Sequence, residues 1–143
     1  MSTGERDEDP RSDARERALS LLYEAESKDE APRQVLAALP VPPAPLVVTL
    51  VEGVEDHRDE LDALIVGHAR NWSLDRMPAI DRNVLRLALY ELKDRPDVPV
   101  AVVIDEAVEL AKRFSTDDSG RFVNGMLSAI APKLRPGESP PPA

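Results

Sequence analysis

Ala79-Ile-Asp-Arg-Asn-Val-Leu-Arg-Leu-Ala-Leu-Tyr-Glu-Leu-Lys93 is the segment from which the architecture can be worked out. Its apolar residues, Ile80, Val84, Leu85, Leu87, Ala88, Leu89 and Leu92, fall around most of a helical wheel instead of along one stripe. A helix apolar on most sides must be surrounded by other elements, so this one is expected at the centre. Pro78 stands where a proline at the first helical position belongs. On the C-terminal side Pro96 and Pro99 interrupt the chain. Val103, Ala107, Leu110, Ala111 and Phe114 then recur at helical spacing, predicting an amphipathic helix that ends near Ser115. Asp117 or Asp118 is the expected cap of a last helix burying Val123, Leu127, Ile130 and Leu134.

On the N-terminal side, a short turn is expected over Trp72–Met77. Before it, Val47, Leu50, Val51, Val54, Leu61, Leu64 and Ile65 form the stripe of one long helix over about residues 44–69. Pro40-Val-Pro-Pro-Ala-Pro45 reads as a stiff connector, preceded by a short helix around Pro32–Leu39. The first helix should open at Ser12 or Asp13 and bury Ala14, Ala18, Leu21, Leu22 and Ala25, with Arg11, Arg15 and Arg6 on or before its exposed side. No internal repeat or alternating strand pattern competes with these helices. The expected fold is therefore all-α, a compact bundle of six to seven helices. Residues 1–11 and 136–143, respectively acidic and Pro-rich, are expected to be disordered around a single folded domain spanning 12–135.

Composition narrows the function. Only five residues are aromatic (Phe 2, Tyr 2, Trp 1), so Ala, Leu and Val must build the core. The chain has no cysteine, which removes disulfides, thiolate metal sites and cysteine nucleophiles. No apolar run approaches the ~20 residues of a membrane span, and the N-terminus lacks a signal-peptide core; a cytoplasmic location is expected. His57 and His68, eleven residues apart on the expected long helix, would stand about 16 Å apart, too far to share a metal. Carboxylate pairs such as Glu52 with Asp56 and Glu106 with Glu109 lie on solvated faces, with no cleft to shift their pKa. There is no phosphate loop, nucleophile elbow or His-Glu-x-x-His sequence. No catalytic site, cofactor or metal is expected.

The net charge of −9 argues against bulk electrostatic attraction to nucleic acid. Charge is uneven, however. Residues 1–30 carry ten acids against five bases, whereas residues 112–135 carry five bases against two acids. Lys112, Arg113 and Phe114 end one expected helix, and Arg121, Phe122 and Asn124 begin the next, whose N-terminal N–H groups suit a phosphate. Basic groups, a helix N-terminus and rings on which bases can stack are the ingredients of single-stranded RNA recognition. The alternative, with both Phe residues in the core and the bases merely solubilising, fits Phe114 equally well. Asn124-Gly125 inside a helix is a pair of poor helix formers, expected where another backbone passes closely or Asn124 bonds a neighbouring segment.

Four stretches carry a resemblance: Ala14-Arg-Glu-Arg-Ala-Leu-Ser-Leu-Leu-Tyr-Glu24, Asp81-Arg-Asn-Val-Leu-Arg-Leu-Ala-Leu-Tyr-Glu-Leu92, Val98-Pro-Val-Ala-Val-Val-Ile-Asp-Glu-Ala-Val-Glu-Leu-Ala-Lys112 and Phe122-Val-Asn-Gly-Met-Leu127. On these the chain resembles the NusB family of transcription antitermination factors, over residues 14 to 135. The resemblance implies two helical subdomains and a protein that binds boxA RNA of nascent ribosomal transcripts together with NusE, a ribosomal small-subunit protein. The pair then joins a complex that helps RNA polymerase resist termination. Arg11 and Arg15 match the family's arginine-rich RNA-contacting segment. The region of Phe114, Asp118 and Phe122, flanked by Lys112, Arg113 and Arg121, matches the second part of that surface. Tyr23 and Asp81 match positions at the NusE contact. Where the family often has consecutive arginines, this chain has Ser12 and Asp13 preceded by Glu8 and Asp9, so its RNA affinity is expected to depend on the partner protein. Two other readings of the fold remain: a non-catalytic homodimeric interaction module with little RNA binding of its own, and the accessory domain of an rRNA methyltransferase. The second is not expected, since no methyltransferase domain follows before Ala143.

Overall fold

A computed structural model describes residues 10–69 and 73–138. The expectations for Arg6, Glu8, Asp9 and Trp72 lie outside these residues. Seven α-helices are present among the described residues: α1 (Pro10–Lys28), α2 (Pro32–Ala37), α3 (Pro45–Asp56), α4 (Arg58–His68), α5 (Ala79–Asp94), α6 (Val100–Phe114) and α7 (Asp117–Leu134), with a 3-10 turn at Leu74–Arg76. The chain divides into two compact units, Met1–Asp56 and His57–Ala143.

In the first unit α1, α2 and α3 pack on one another. Ala18, Leu21 and Leu22 of α1 and Leu50, Val51 and Val54 of α3 are buried, as their spacing predicts. Helix α1 begins at Pro10, ahead of the expected Ser12 or Asp13, because a proline costs nothing at a position whose N–H has no helical partner. At α2, the Gln34 side chain accepts from the Ala31 N–H at 2.8 Å. Arg33 reaches α3 and grips Asp56 with two nitrogens, at 2.7 and 3.1 Å.

The second unit is organised around α5, which contacts α4, α6 and α7. Every residue from Val84 to Leu92 is buried, so the central helix expected from its all-round hydrophobicity is observed. The polar residues within that stretch, Arg86, Tyr90 and Glu91, each have a partner. Arg86, buried, holds Asp62 of α4 through Nε at 2.7 Å and Nη2 at 3.1 Å. At the far end Arg135 donates to the carbonyl oxygens of Leu92, Glu91 and Arg95, at 2.7, 3.2 and 2.9 Å, supplying partners where the helix has run out of its own. Arg135 also meets Glu138, whose Oε2 accepts from the Val100 N–H at 2.7 Å and so caps α6.

Some local expectations change. The long helix over 44–69 is broken at His57, whose φ of −110° and ψ of 14° leave the helical region. Its ring stacks on Tyr90 at 5.9 Å between centroids, and its Nε2 lies 3.0 Å from Asp94. These tertiary contacts claim a residue that hydrophobic periodicity reads straight through. Pro78 is the N-cap of α5, one position before the expected N1, and Thr116, not Asp117 or Asp118, caps α7. Leu134 is only partly buried. The close approach expected at Gly125 is absent: a Cβ there would meet nothing within 4 Å, and Asn124 accepts from Ser128 Oγ on its own helix. The tight position is Gly120, where a Cβ would come within 2.5 Å of Lys112 Cγ.

Candidate nucleic-acid interface

The end of α6 and the start of α7 face the same solvent region because only Ser115 and Thr116 separate them. Helix α6 stops at this point, and its last residues project outward. Lys112 and Arg113 are exposed, and Phe114 is 42% exposed, which decides between its two readings in favour of a surface ring. The Arg113 guanidinium carbon lies 4.9 Å from the centre of that ring, a cation–π contact that keeps a flat, positively charged face turned to water. Absence of a side chain at Gly120 lets the Lys112 stem lie against the first turn of α7.

The α7 side differs in charge. Thr116 Oγ1 accepts from the Ser119 N–H at 3.0 Å, so one of the donors expected to await a phosphate is already used. Asp117 and Asp118 are exposed in the same turn, and Asp118 pairs with Arg121. Two carboxylates favour the positive end of the helix dipole and repel a phosphate. Lys112 and Arg113 are the exposed basic residues on the α6 side.

Between the N-termini of α5 and α7 is an open cavity of about 250 Å³. Met77, Pro78 and Phe122 give it apolar walls; Asp81, Thr116, Asp118 and Ser119 supply the polar groups. Arg82 fixes the Met77 side by donating to the carbonyl oxygens of Leu74 and Met77, at 2.9 and 2.6 Å. Its own pKa is lowered by burial and by the neighbouring Arg86. Ser119 joins the two helices: its hydroxyl donates to Asp81 Oδ2 at 2.9 Å and takes bonds from Ser115 Oγ at 2.9 Å and Thr116 Oγ1 at 3.1 Å. Asp81 is 4% exposed, and its other oxygen, Oδ1, is buried without a hydrogen-bond partner among the described residues.

The residues singled out from the sequence thus separate into groups. Lys112, Arg113, Phe114, Asp118, Arg121 and Phe122 come together at the α6–α7 turn in the second unit. Asp81 joins them at the cavity, buried where the resemblance implies a contact with a protein partner. Arg11 and Tyr23 are exposed on α1 in the first unit. Arg15, expected on the exposed side of α1, is only 3% exposed, and its side chain is engaged within the protein. The long apolar stem of an arginine lets it lie along a buried face, which spacing alone does not reveal. Ser119, Thr116 and Met77 were missed. The Ser115-Thr-Asp-Asp-Ser119 run was legible as helix-capping chemistry, but not as part of a cavity.

Basic side chains beside an exposed ring at the end of α6 give this all-helical chain a charged, aromatic surface. The comparisons make this specific. The NusB family model matches residues 12–132. The chain is 55% identical over 127 residues to a transcription antitermination protein NusB of Saccharopolyspora erythraea, covering 85% of this chain and 86% of that one. Its fold is similar to that of the T. maritima NusB crystal form, at a TM-score of 0.81 and 38% identity, covering 90% of this chain and 95% of that one. It is also similar, at a TM-score of 0.73 and 30% identity, to a chain in the crystal structure of antitermination factors NusB and NusE in complex with double-stranded RNA, covering 86% and 96% respectively. This chain belongs to the NusB family.

Proposed function

We propose that this protein is a cytoplasmic, non-catalytic antitermination factor that binds boxA-type RNA in nascent ribosomal transcripts together with NusE and helps RNA polymerase resist termination. The observation that carries the RNA part is the Lys112-Arg113-Phe114 platform, with its guanidinium held over an exposed ring beside Arg121 and Phe122. Similarity to a NusB chain crystallised with NusE and RNA supports the partnership. On this reading Arg11 and the α6–α7 turn face RNA, and Tyr23 faces NusE. Buried Arg15 supports α1 from within. Asp118 and Asp13 oppose phosphate, so RNA affinity should rise when NusE is bound.

The test is titration of boxA RNA over a range of salt, with and without NusE, using wild type, Phe122→Ala and the Lys112→Ala/Arg113→Ala pair. Loss of a stacked base is worth ~1–3 kcal/mol, so Phe122→Ala should weaken binding by about tenfold or more. The double variant should lower the salt slope by about two, roughly one per lost phosphate contact. If neither change weakens binding, the surface is misassigned; equal affinity with and without NusE removes the dependence on the partner. A stable homodimer by gel filtration that persists with RNA and NusE present would favour the interaction-module reading.

A further inference from the structure

Asp81, which lines the α5–α7 cavity, carries a buried polar atom whose bonding is incomplete. Asp81 is buried, one of its oxygens is satisfied by Ser119, and Oδ1 has no partner among the described residues. Leaving a buried acceptor unbonded costs roughly 1–3 kcal/mol, and more when it is charged. The surrounding hydroxyls do not relieve it. Ser119 donates to Oδ2 and accepts from Ser115 and Thr116, while Thr116 accepts from the Ser119 N–H. Oδ1 is thus an acceptor left over in an otherwise closed network, beside an open cavity with apolar walls that include the Phe122 ring.

The geometry points to Asp81 as a base-reading residue, whose Oδ1 accepts the exocyclic amine of a cytosine or adenine entering the cavity beside Phe122. This inference rests on the RNA-binding reading and adds a preference among bases to it. A cavity of about 250 Å³ is smaller than the ~300–1,000 Å³ that takes a drug-sized ligand, and suits a single ring system. Phosphate is excluded, because Asp81 and Asp118 both line the space and would repel it. Uracil fits poorly: its only ring donor is flanked by two carbonyl oxygens, which would be brought against the carboxylates. An arginine side chain from a protein fits poorly too. It would bring five donors to one vacant buried acceptor, and Asp118 is already paired with Arg121. Oδ1 is closed to water in this conformation, so the cavity wall must open as the base enters; the bond it gains then offsets the burial.

The experiment is binding of oligocytidine and oligouridine of equal length to the full chain, wild type against Asp81→Asn and Phe122→Ala, with circular dichroism as a check on folding. In wild type the cytidine oligomer should bind about tenfold more tightly, the discrimination expected of one good base contact. In Asp81→Asn the Ser119 hydroxyl holds the amide oxygen, leaving the amide N–H₂ towards the cavity. Preference should fall to parity or turn to uridine, whose O4 is an acceptor. Phe122→Ala should weaken both oligomers alike. A cytidine oligomer whose bases lack the 4-amino group, tested on wild type, gives the same answer without a variant and should bind like oligouridine. An unchanged cytidine-to-uridine ratio in Asp81→Asn, or no loss on removing the amine, overturns the inference while leaving RNA binding intact. Weakened NusE binding by Asp81→Asn with an unchanged base preference returns Asp81 to the protein contact. No binding of either oligomer by wild type, alone or with NusE, overturns the RNA reading and this inference together.

Discussion

Ser119→Ala should be costly out of proportion to its size. Among the described residues the hydroxyl is the only hydrogen-bond donor to the buried Asp81 carboxylate, at 2.9 Å, and removing it leaves both carboxylate oxygens without one. Hydrogen bonds to charged groups contribute ~1.5–3 kcal/mol. The backbone cap survives, since Thr116 Oγ1 still accepts from the amide of residue 119. The expected loss is therefore about 2 kcal/mol. Asp81→Ala should behave differently. It removes the anion along with its orphaned oxygen, leaves the Ser119 hydroxyl with Ser115 and Thr116, and forfeits an acid in the first turn of α5 worth roughly 0.3–1 kcal/mol. This variant should be within about 1 kcal/mol of wild type, and adding Ser119→Ala to it should cost little more. The assay is urea unfolding of the four proteins of the cycle, followed by circular dichroism. With m of ~1–3 kcal/mol/M, Ser119→Ala should lower the midpoint by about 1 M at unchanged m. A coupling below about 0.5 kcal/mol, or an Asp81→Ala more damaging than Ser119→Ala, would refute the reasoning, because the carboxylate would then not depend on that hydroxyl.

Gly125 occupies an exposed helical position with open space where a Cβ would stand, so Gly125→Ala should stabilise the chain by about 1 kcal/mol in the same unfolding assay. The Glu138 carboxyl is held below its ordinary value of 4.5, first by the Val100 N–H and then by Arg135. A depressed folded pKa means that the stability it brings is present above 4.5 and is lost as pH falls through the lowered value. The unfolding midpoints of wild type and Glu138→Gln should therefore differ most near neutrality and converge in acid; a gap that widens on acidification would reverse the assignment. Arg135→Ala should cost about 3 kcal/mol in urea unfolding, less than three separate charged bonds of ~1.5–3 kcal/mol would sum to, because water can enter to the Arg95 carbonyl.

Much of the candidate site was legible because its signals are local. Lys112, Arg113 and Phe114 sit at a helix end that the stripe from Val103 to Ala111 places within a residue, and Arg121 and Phe122 follow in the next turn. Phe114 shows where that legibility stops: its spacing fits the buried stripe, yet the helix ends there and the ring is exposed. Arg15 shows the converse, a charged residue that lies on a buried face and is engaged there. Neither outcome is contained in a residue's immediate neighbours.

The sequence by itself determined the all-helical class, the central position of α5 and the family, since each depends on periodicity, proline placement or runs of matching residues. Only the tertiary structure decided that Asp81 and Ser119, thirty-eight positions apart, meet at one cavity and that one carboxylate oxygen is left unbonded. It also broke the helix at His57 and chose Thr116 over Asp117 as the cap of α7. The physical reason is common to all three. Helix formation is set by neighbours three and four residues away, whereas a buried polar group is placed by whichever donor or acceptor the packing brings within about 3 Å of it.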